Sequence, residues 1–418
     1  MLAELLKQPT FQAEYARHER ARYENQPLLE HRLEEIRSGK ALDALEPFAK
    51  AYLGMFYDID SNIPPAARLY LLVDEALVAP IVSGLVAAVM QHHFATPAQI
   101  ALALSHDEQL GDGYIALAGV ELFLHQGGDL QALPAETLKA IICFHYANST
   151  YHQDDWLVPL LQTCYSEAAE AFVSFWRVLR QHQFSYLPGM QAILDNDALW
   201  ELRQRVIVPG AALMCDTRPK ELARMLLAAL KSGAEADLYD AACEVVEEAE
   251  SVGIRQQVYW QATAFLLQPQ RQAPLLANFV GQEKIKLLPL LDFCYWVLSD
   301  DTDRLSGEAI GELIRMIAPK LTPQTDNYGN LSDVTQKVAW LFYLLATRTT
   351  LPATQVTKKL RRVRVLKLYS EVMDAVDDLQ QKLATGVIAV APSAERFIQA
   401  LQSDGKLKSK KNWSDNNF

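Results

Sequence analysis

Asp216-Thr217-Arg218-Pro219-Lys220-Glu221-Leu222-Ala223-Arg224-Met225-Leu226-Leu227-Ala228-Ala229-Leu230-Lys231-Ser232-Gly233 carries a pattern that recurs along most of the chain. Leu222, Met225, Leu226, Ala229 and Leu230 fall at i, i+3, i+4, i+7 and i+8, one face of an α-helix. Asp216 and Thr217 are placed to accept hydrogen bonds from the free N–H groups of the first turn. Pro219 suits a position that needs no N–H. Lys231 in the last turn and Gly233 beyond it mark the stop. The spacing predicts a helix over 219–230.

Residues 308–318 repeat the logic with Ile310, Leu313, Ile314 and Ile317, led by Ser306 and closed by Pro319. Residues 333–347 do so with Val334, Val338, Leu341, Phe342 and Leu345, led by Ser332. Strand-like alternation is scarce. Gly386-Val387-Ile388-Ala389-Val390-Ala391 is the one β-looking run and reads as an extended connector. The expected fold class is all-α: about twenty helices stacked in pairs, an α-solenoid-like array of the HEAT or TPR kind.

The chain has 418 residues, more than one hydrophobic core of about 100–200 residues accommodates. Half of it is hydrophobic, so it can bury a large core and is not a disordered scaffold. Its net charge of −12 argues against wrapping nucleic acid with the whole surface. The charge is uneven. From Lys358 onward, 12 basic residues stand against 7 acidic ones, a local +5 that leaves −17 for the rest.

Cys143, Cys164, Cys215, Cys243 and Cys294 are odd in number and far apart, as in reduced cysteines packed as small hydrophobes. The start, Met1-Leu2-Ala3-Glu4-Leu5-Leu6-Lys7, lacks the basic residues and apolar run of a signal peptide. The longest apolar run, Ala76 to Met90, is shorter than the ~20 residues needed to span a bilayer and contains Pro80 and Gly84. A cytoplasmic chain without membrane contact is expected.

Five regions are expected. Residues 1–40 form a charged helical arm, 41–187 a first helical subarray, 188–350 a second, 351–402 basic C-terminal helices, and 403–418 a flexible tail. Residues 10–40 read as a solvated outer helix laced with ion pairs, or as a lever to something upstream. Breaks fall at Pro64-Pro65, Pro97, Gly111-Asp112-Gly113, Gly127-Gly128 and around Phe184–Gly189. Trp260, Trp296 and Trp340 each lie in an apolar helical run, 36 and 44 residues apart, near the ~34–47-residue period of helix-pair repeats.

Candidate chemistry is thin. Asp58-Ile59-Asp60-Ser61-Asn62 begins like a calcium loop, but Ile63 and Leu69 stand where Gly and Glu are required. It reads instead as a turn and cap before a helix at Pro65. His106-Asp107, with His92 or His93 and with Asp154 or Asp155, is the composition of a metal site of the HD phosphohydrolase type, the one enzyme alternative. Its residues read as a helix end and turn. His152-Gln153-Asp154-Asp155 reads as a loop capping the helix at Trp156. His145 and Cys143 read as core. No phosphate-cradling loop, Cys-x-x-Cys, His-Glu-x-x-His or Gly-x-Ser-x-Gly is present. No catalytic residue, metal ligand or cofactor is therefore assigned.

The most distinctive charged feature is the stripe Lys358, Lys359, Arg361, Arg362, Arg364 and Lys367, the expected contact site for an acidic protein face or for phosphates. Nucleic acid is expected only there, and no aromatics interleave for base stacking.

Leu33 to Phe56, with Arg37-Ser38-Gly39-Lys40-Ala41-Leu42 and Ala49-Lys50-Ala51-Tyr52-Leu53-Gly54, then Pro64-Pro65-Ala66-Ala67-Arg68 and the apolar stretch Ile115 to Leu124, resembles the helical region of bacterial STAND or NACHT-type NTPases. The resemblance implies a helical sensor array, often of anti-phage defence, that works beside an NTPase core. This chain has no phosphate loop, so that core would lie on a separate chain. The expected function is a non-catalytic helical-repeat protein that binds a protein or phage-derived partner in a bacterial defence system. The alternative is a scaffold or assembly subunit of a cytosolic complex.

Overall fold

Pro219 opens a helix that runs to Lys231, and Leu222, Ala223, Met225, Leu226, Ala229 and Leu230 are its buried face. The stripe drives this, since an amphipathic helix is stable only when its apolar face is covered. The computed structural model describes residues 2–148, 156–214, 218–247, 253–281, 283–321, 332–348, 377–378, 381–382 and 384–386. Among them are twenty-one α-helices and no strand. The fold is all-α. The cap foreseen at Asp216 and Thr217 lies outside the described residues, as do 387–391 of the β-looking run.

The chain divides into two compact units, Met1–Cys215 and Asp216–Phe418. Unit 1 holds α1 (Leu2–Leu5), α2 (Pro9–Arg17), α3 (Glu19–Glu30), α4 (Leu33–Arg37), α5 (Leu42–Tyr52), α6 (Pro65–Leu72) and α7 (Glu75–Gln91). It continues with α8 (Pro97–Ser105), α9 (Gly111–His125), α10 (Ala135–Ala147), α11 (Leu157–Thr163), α12 (Tyr165–Gln181), α13 (Met190–Asp195) and α14 (Trp200–Leu213). Unit 2 holds α15 (Pro219–Lys231), α16 (Glu235–Glu247), α17 (Ile254–Leu267), α18 (Pro269–Val280), α19 (Lys284–Asp300), α20 (Gly307–Ile317) and α21 (Asp333–Thr347).

Helix starts follow local chemistry. Thr96 and Gln99 form a reciprocal capping box on α8: Gln99 N donates to Thr96 Oγ1 at 3.3 Å and Thr96 N to Gln99 Oε1 at 2.9 Å. Ser306 Oγ accepts from Ala309 N and Ser332 Oγ from Thr335 N, each at 3.3 Å, as foreseen for α20 and α21.

In unit 1, α7 crosses α4 and α9 where glycine replaces a side chain. A methyl group on Gly84 would lie well inside contact with the Ile36 carbonyl oxygen, and one on Gly119 would lie 2.5 Å from the Leu85 carbonyl oxygen. Ala76–Met90, expected as a buried helix, is the body of α7, with Leu77, Val78, Ile81, Leu85, Ala88 and Val89 buried. The break expected at Gly111-Asp112-Gly113 falls just before it, between α8 and α9, and these three residues begin α9. Gly113 is small because the Phe144 ring stands 2.6 Å from where its Cβ would be.

The break expected after Leu187 falls inside unit 1, where α12 packs against α14 across it. Trp176 fixes that segment by donating from Nε1 to the Pro188 carbonyl at 2.8 Å. The charged 10–40 stretch is docked, with Phe11, Leu29 and Ile36 buried and α3 lying on α6. Arg22 is buried there, its guanidinium over the Tyr15 ring at 3.5 Å and its Nη1 on the Tyr15 carbonyl at 2.7 Å.

In unit 2 consecutive helices pack, α15 on α16, α16 on α17, α17 on α18 and α20 on α21, and alternate helices touch as well. α15, α17, α19 and α21 touch in succession, and α18 touches α20. The three tryptophans noted for their spacing fall on α17, α19 and α21, successive members of that row. Trp260 and Trp340 are buried and Trp296 is half-buried. Arg304 locks one corner: Nη2 donates to the Leu230 carbonyl at 3.0 Å, Nη1 to Glu235 at 3.1 Å and Nε to Asp301 at 2.9 Å.

Candidate functional site

The basic stripe Lys358, Lys359, Arg361, Arg362, Arg364 and Lys367 lies outside the described residues, as do His152, Asp154 and Asp155. The other candidate residues are visible and fall in separate places.

Asp58–Asn62 is a turn built around Arg68, not an ion loop. Asp60 Oδ1 accepts from Asn62 N at 2.9 Å. The buried Arg68 guanidinium donates to the carbonyls of Ile63 and Tyr52, each at 2.8 Å, and of Ser61 at 3.1 Å. Taking a charge out of water is costly, so burial lowers the Arg68 pKa, while the Glu121 carboxylate works against that effect. Pro64, not an aspartate, is the residue before α6, and no side chain caps it. Tyr52, beside this turn, donates from its hydroxyl to Glu121 at 3.2 Å; burial and that carboxylate push the phenol pKa up.

Cys143 is buried, as expected of core, and burial pushes its thiol pKa up. Burial likewise pushes the Cys294 thiol up to about 12. Such thiols are not nucleophiles at neutral pH. The His145 ring packs against Tyr146 and Trp156.

His92 ends α7 with its ring edge-on to Phe94 at 4.8 Å. Burial lowers its pKa, and Asp112 works against that effect. His106 and Asp107 lie elsewhere, at the end of α8. No group of three or more His, Cys, Asp or Glu side chains among the described residues is arranged to hold a metal ion. His92, His93, His106 and Asp107 are therefore not gathered into one centre.

The neighbour of His106 is His182. α8 packs on α12, and the two helices end side by side. Both are closed the same way. His106 is the last cap of α8, Asp107 follows with φ 58°, and Glu108 N donates back to the Ala103 carbonyl at 2.9 Å. His182 caps α12, Gln183 follows with φ 59°, and Phe184 N donates back to the Leu179 carbonyl at 2.9 Å. This is the left-handed closure that glycine ordinarily supplies. Asp107 and Gln183 are the two non-glycine residues with positive φ among the described residues. The imidazole centroids are 5.4 Å apart, with ring planes at 88°. Both rings are exposed. His182 gave no sequence signal as a partner because it is distant along the chain.

Unit 2 exposes large apolar side chains on α17, α18 and α19. Ile254 is 41% exposed, Leu275 56%, Ile285 60% and Leu288 38%. Lys286 Nζ joins α19 to α18, donating to the Phe279 carbonyl at 3.0 Å and lying over the Phe279 ring at 4.6 Å. A signal was available: Ile285, Leu287, Leu288, Leu290 and Leu291 put apolar residues around more of α19 than one face can bury.

No helix among the described residues is long and apolar enough to cross a membrane. Comparison with protein-family profiles, curated proteins and solved structures gave no match.

Proposed function

We propose that this chain is a non-catalytic helical protein that binds a protein partner, with unit 2 serving as a short array of helix pairs. The observation that carries this reading is the exposure of Leu275, Ile285 and Leu288 in a unit whose other large aliphatic side chains are mostly buried. Exposed aliphatic groups gain from being covered by a partner's apolar face, at about 25 cal/mol per Å². The alternate contacts of α15, α17, α19 and α21 support the array reading. A sensor role beside an NTPase on another chain extends this reading on the strength of the family resemblance alone.

The test is capture of partners from the native host by the full chain and by Ile285→Glu and Leu288→Glu. Both positions are exposed, so the melting temperature should stay within a degree or two of wild type, as for ordinary surface changes of about 0.5 kcal/mol or less. A protein held in equal amount by the wild type and lost from both variants is the expected result. Equal capture by all three chains, with folding intact, would overturn the assignment of these residues. The scaffold alternative predicts constitutive capture, whereas a sensor should gain or lose its partner on phage challenge.

A further inference from the structure

We propose that His106 and His182 form a two-histidine site for a borderline transition-metal ion such as Zn²⁺ or Ni²⁺, clipping the end of α8 to the end of α12. Two imidazole nitrogens bound to one metal at about 2.0–2.1 Å, at a near-tetrahedral angle, put the ring centroids on the order of 5 Å apart. The observed separation is 5.4 Å. The rings are exposed, and among the described residues no protein hydrogen bond occupies either one. Each can turn about its side-chain torsions to aim a nitrogen at a shared ion. The backbone holding them is fixed by twin closures, so the pair is presented by two packed helix ends.

Imidazole suits zinc, nickel and copper better than magnesium or calcium, which prefer oxygen. Asp107 and Glu108 follow His106 directly, and their negative charge favours a cation nearby. No third protein ligand stands with the pair among the described residues, so water completes the coordination. An open two-ligand site of this kind binds far more weakly than a closed structural site.

Titration of the full-length chain with zinc chloride at pH 7.5 tests this directly. Isothermal calorimetry should give one ion per chain at this site. A metal that binds only the folded state raises its stability, so the melting temperature should rise with zinc concentration. His106→Ala and His182→Ala should each weaken binding at least tenfold and abolish the thermal shift. His125→Ala, at an exposed histidine on α9, should change neither. Circular dichroism before titration checks that the variants are folded. Binding that survives both His106→Ala and His182→Ala would place the ion at other histidines and overturn the proposal. So would no binding by the wild type at millimolar zinc.

Discussion

Unit 1 and unit 2 are both built of helices around buried rings, yet among the described residues unit 1 adds close glycine crossings that unit 2 lacks. Unit 1 removes side chains at its crossings. Gly84 lets α7 meet the Ile36 carbonyl, Gly119 lets α9 lie on the Leu85 carbonyl, and Gly39, at φ 74°, sits with its missing Cβ 2.5 Å from Ala88 N. Large rings fill both units: Trp176, Phe172 and Phe175 are fully buried in unit 1, and Trp260, Phe265, Phe293 and Trp340 in unit 2. The unit 2 glycines at 233, 281 and 311 meet no obstacle closer than 3.8 Å among the described residues. Close backbone approach depends on an absence that cannot be altered without moving a main chain. Large-ring contacts depend on volume that can be partly replaced.

The most direct way to break this comparison is Trp260→Ala. Truncating a buried tryptophan should cost about 3–5 kcal/mol. Chemical denaturation followed by circular dichroism measures it, and the loss should fall on unit 2. If the two units unfold in separate transitions, only one should move. A loss below about 1 kcal/mol would mean unit 2 does not rest on its rings.

Gly119→Ala is the matching change in unit 1. The new methyl meets the Leu85 carbonyl and Val89, so α7 and α9 must separate. Overpacking of this kind should cost about 1–3 kcal/mol, although alanine is by itself the better helix former. A neutral or stabilising result would show that the close crossing is not required.

Gly311→Ala in α20 sharpens the contrast by reversing its sign. Gly311 is helical and no atom of the described residues lies within 4 Å of its missing Cβ. The change should stabilise the chain by up to about 1 kcal/mol, read as a higher denaturation midpoint.

The smallest effect is a pH dependence in unit 1. Burial lowers the His92 pKa below its ordinary value of about 6.5, so the unfolded chain takes up this proton first. The stability that His92 contributes as a neutral ring is intact above about pH 7. It declines as pH falls below about 6.5 and stops declining below the lowered folded value. His92→Gln should lose less stability than wild type between pH 7.5 and 5.5. An identical loss in both chains would show that His92 carries none of it.

The sequence alone determined the helices, because period and capping are local. Leu222 to Leu230 share a face in any environment, Ser306 and Ser332 cap whatever helix follows them, and Pro219 needs no N–H. It also carried the tryptophan spacing that unit 2 sets on alternate helices. Other features were decided only when helices met. Gly111 and Gly113 read locally as a turn, yet they open α9, and only the folded chain shows that Glu46 and Phe144 occupy the space their side chains would need. Nothing local to Arg68 says that three carbonyls of a folded turn converge on it. His106 was weighed with Asp107, its neighbour in sequence, whereas its neighbour in space is His182. Hydrophobic period says which face of a helix is covered. It carries no information about which other helix covers it, since any apolar face of suitable shape satisfies the same drive to leave water.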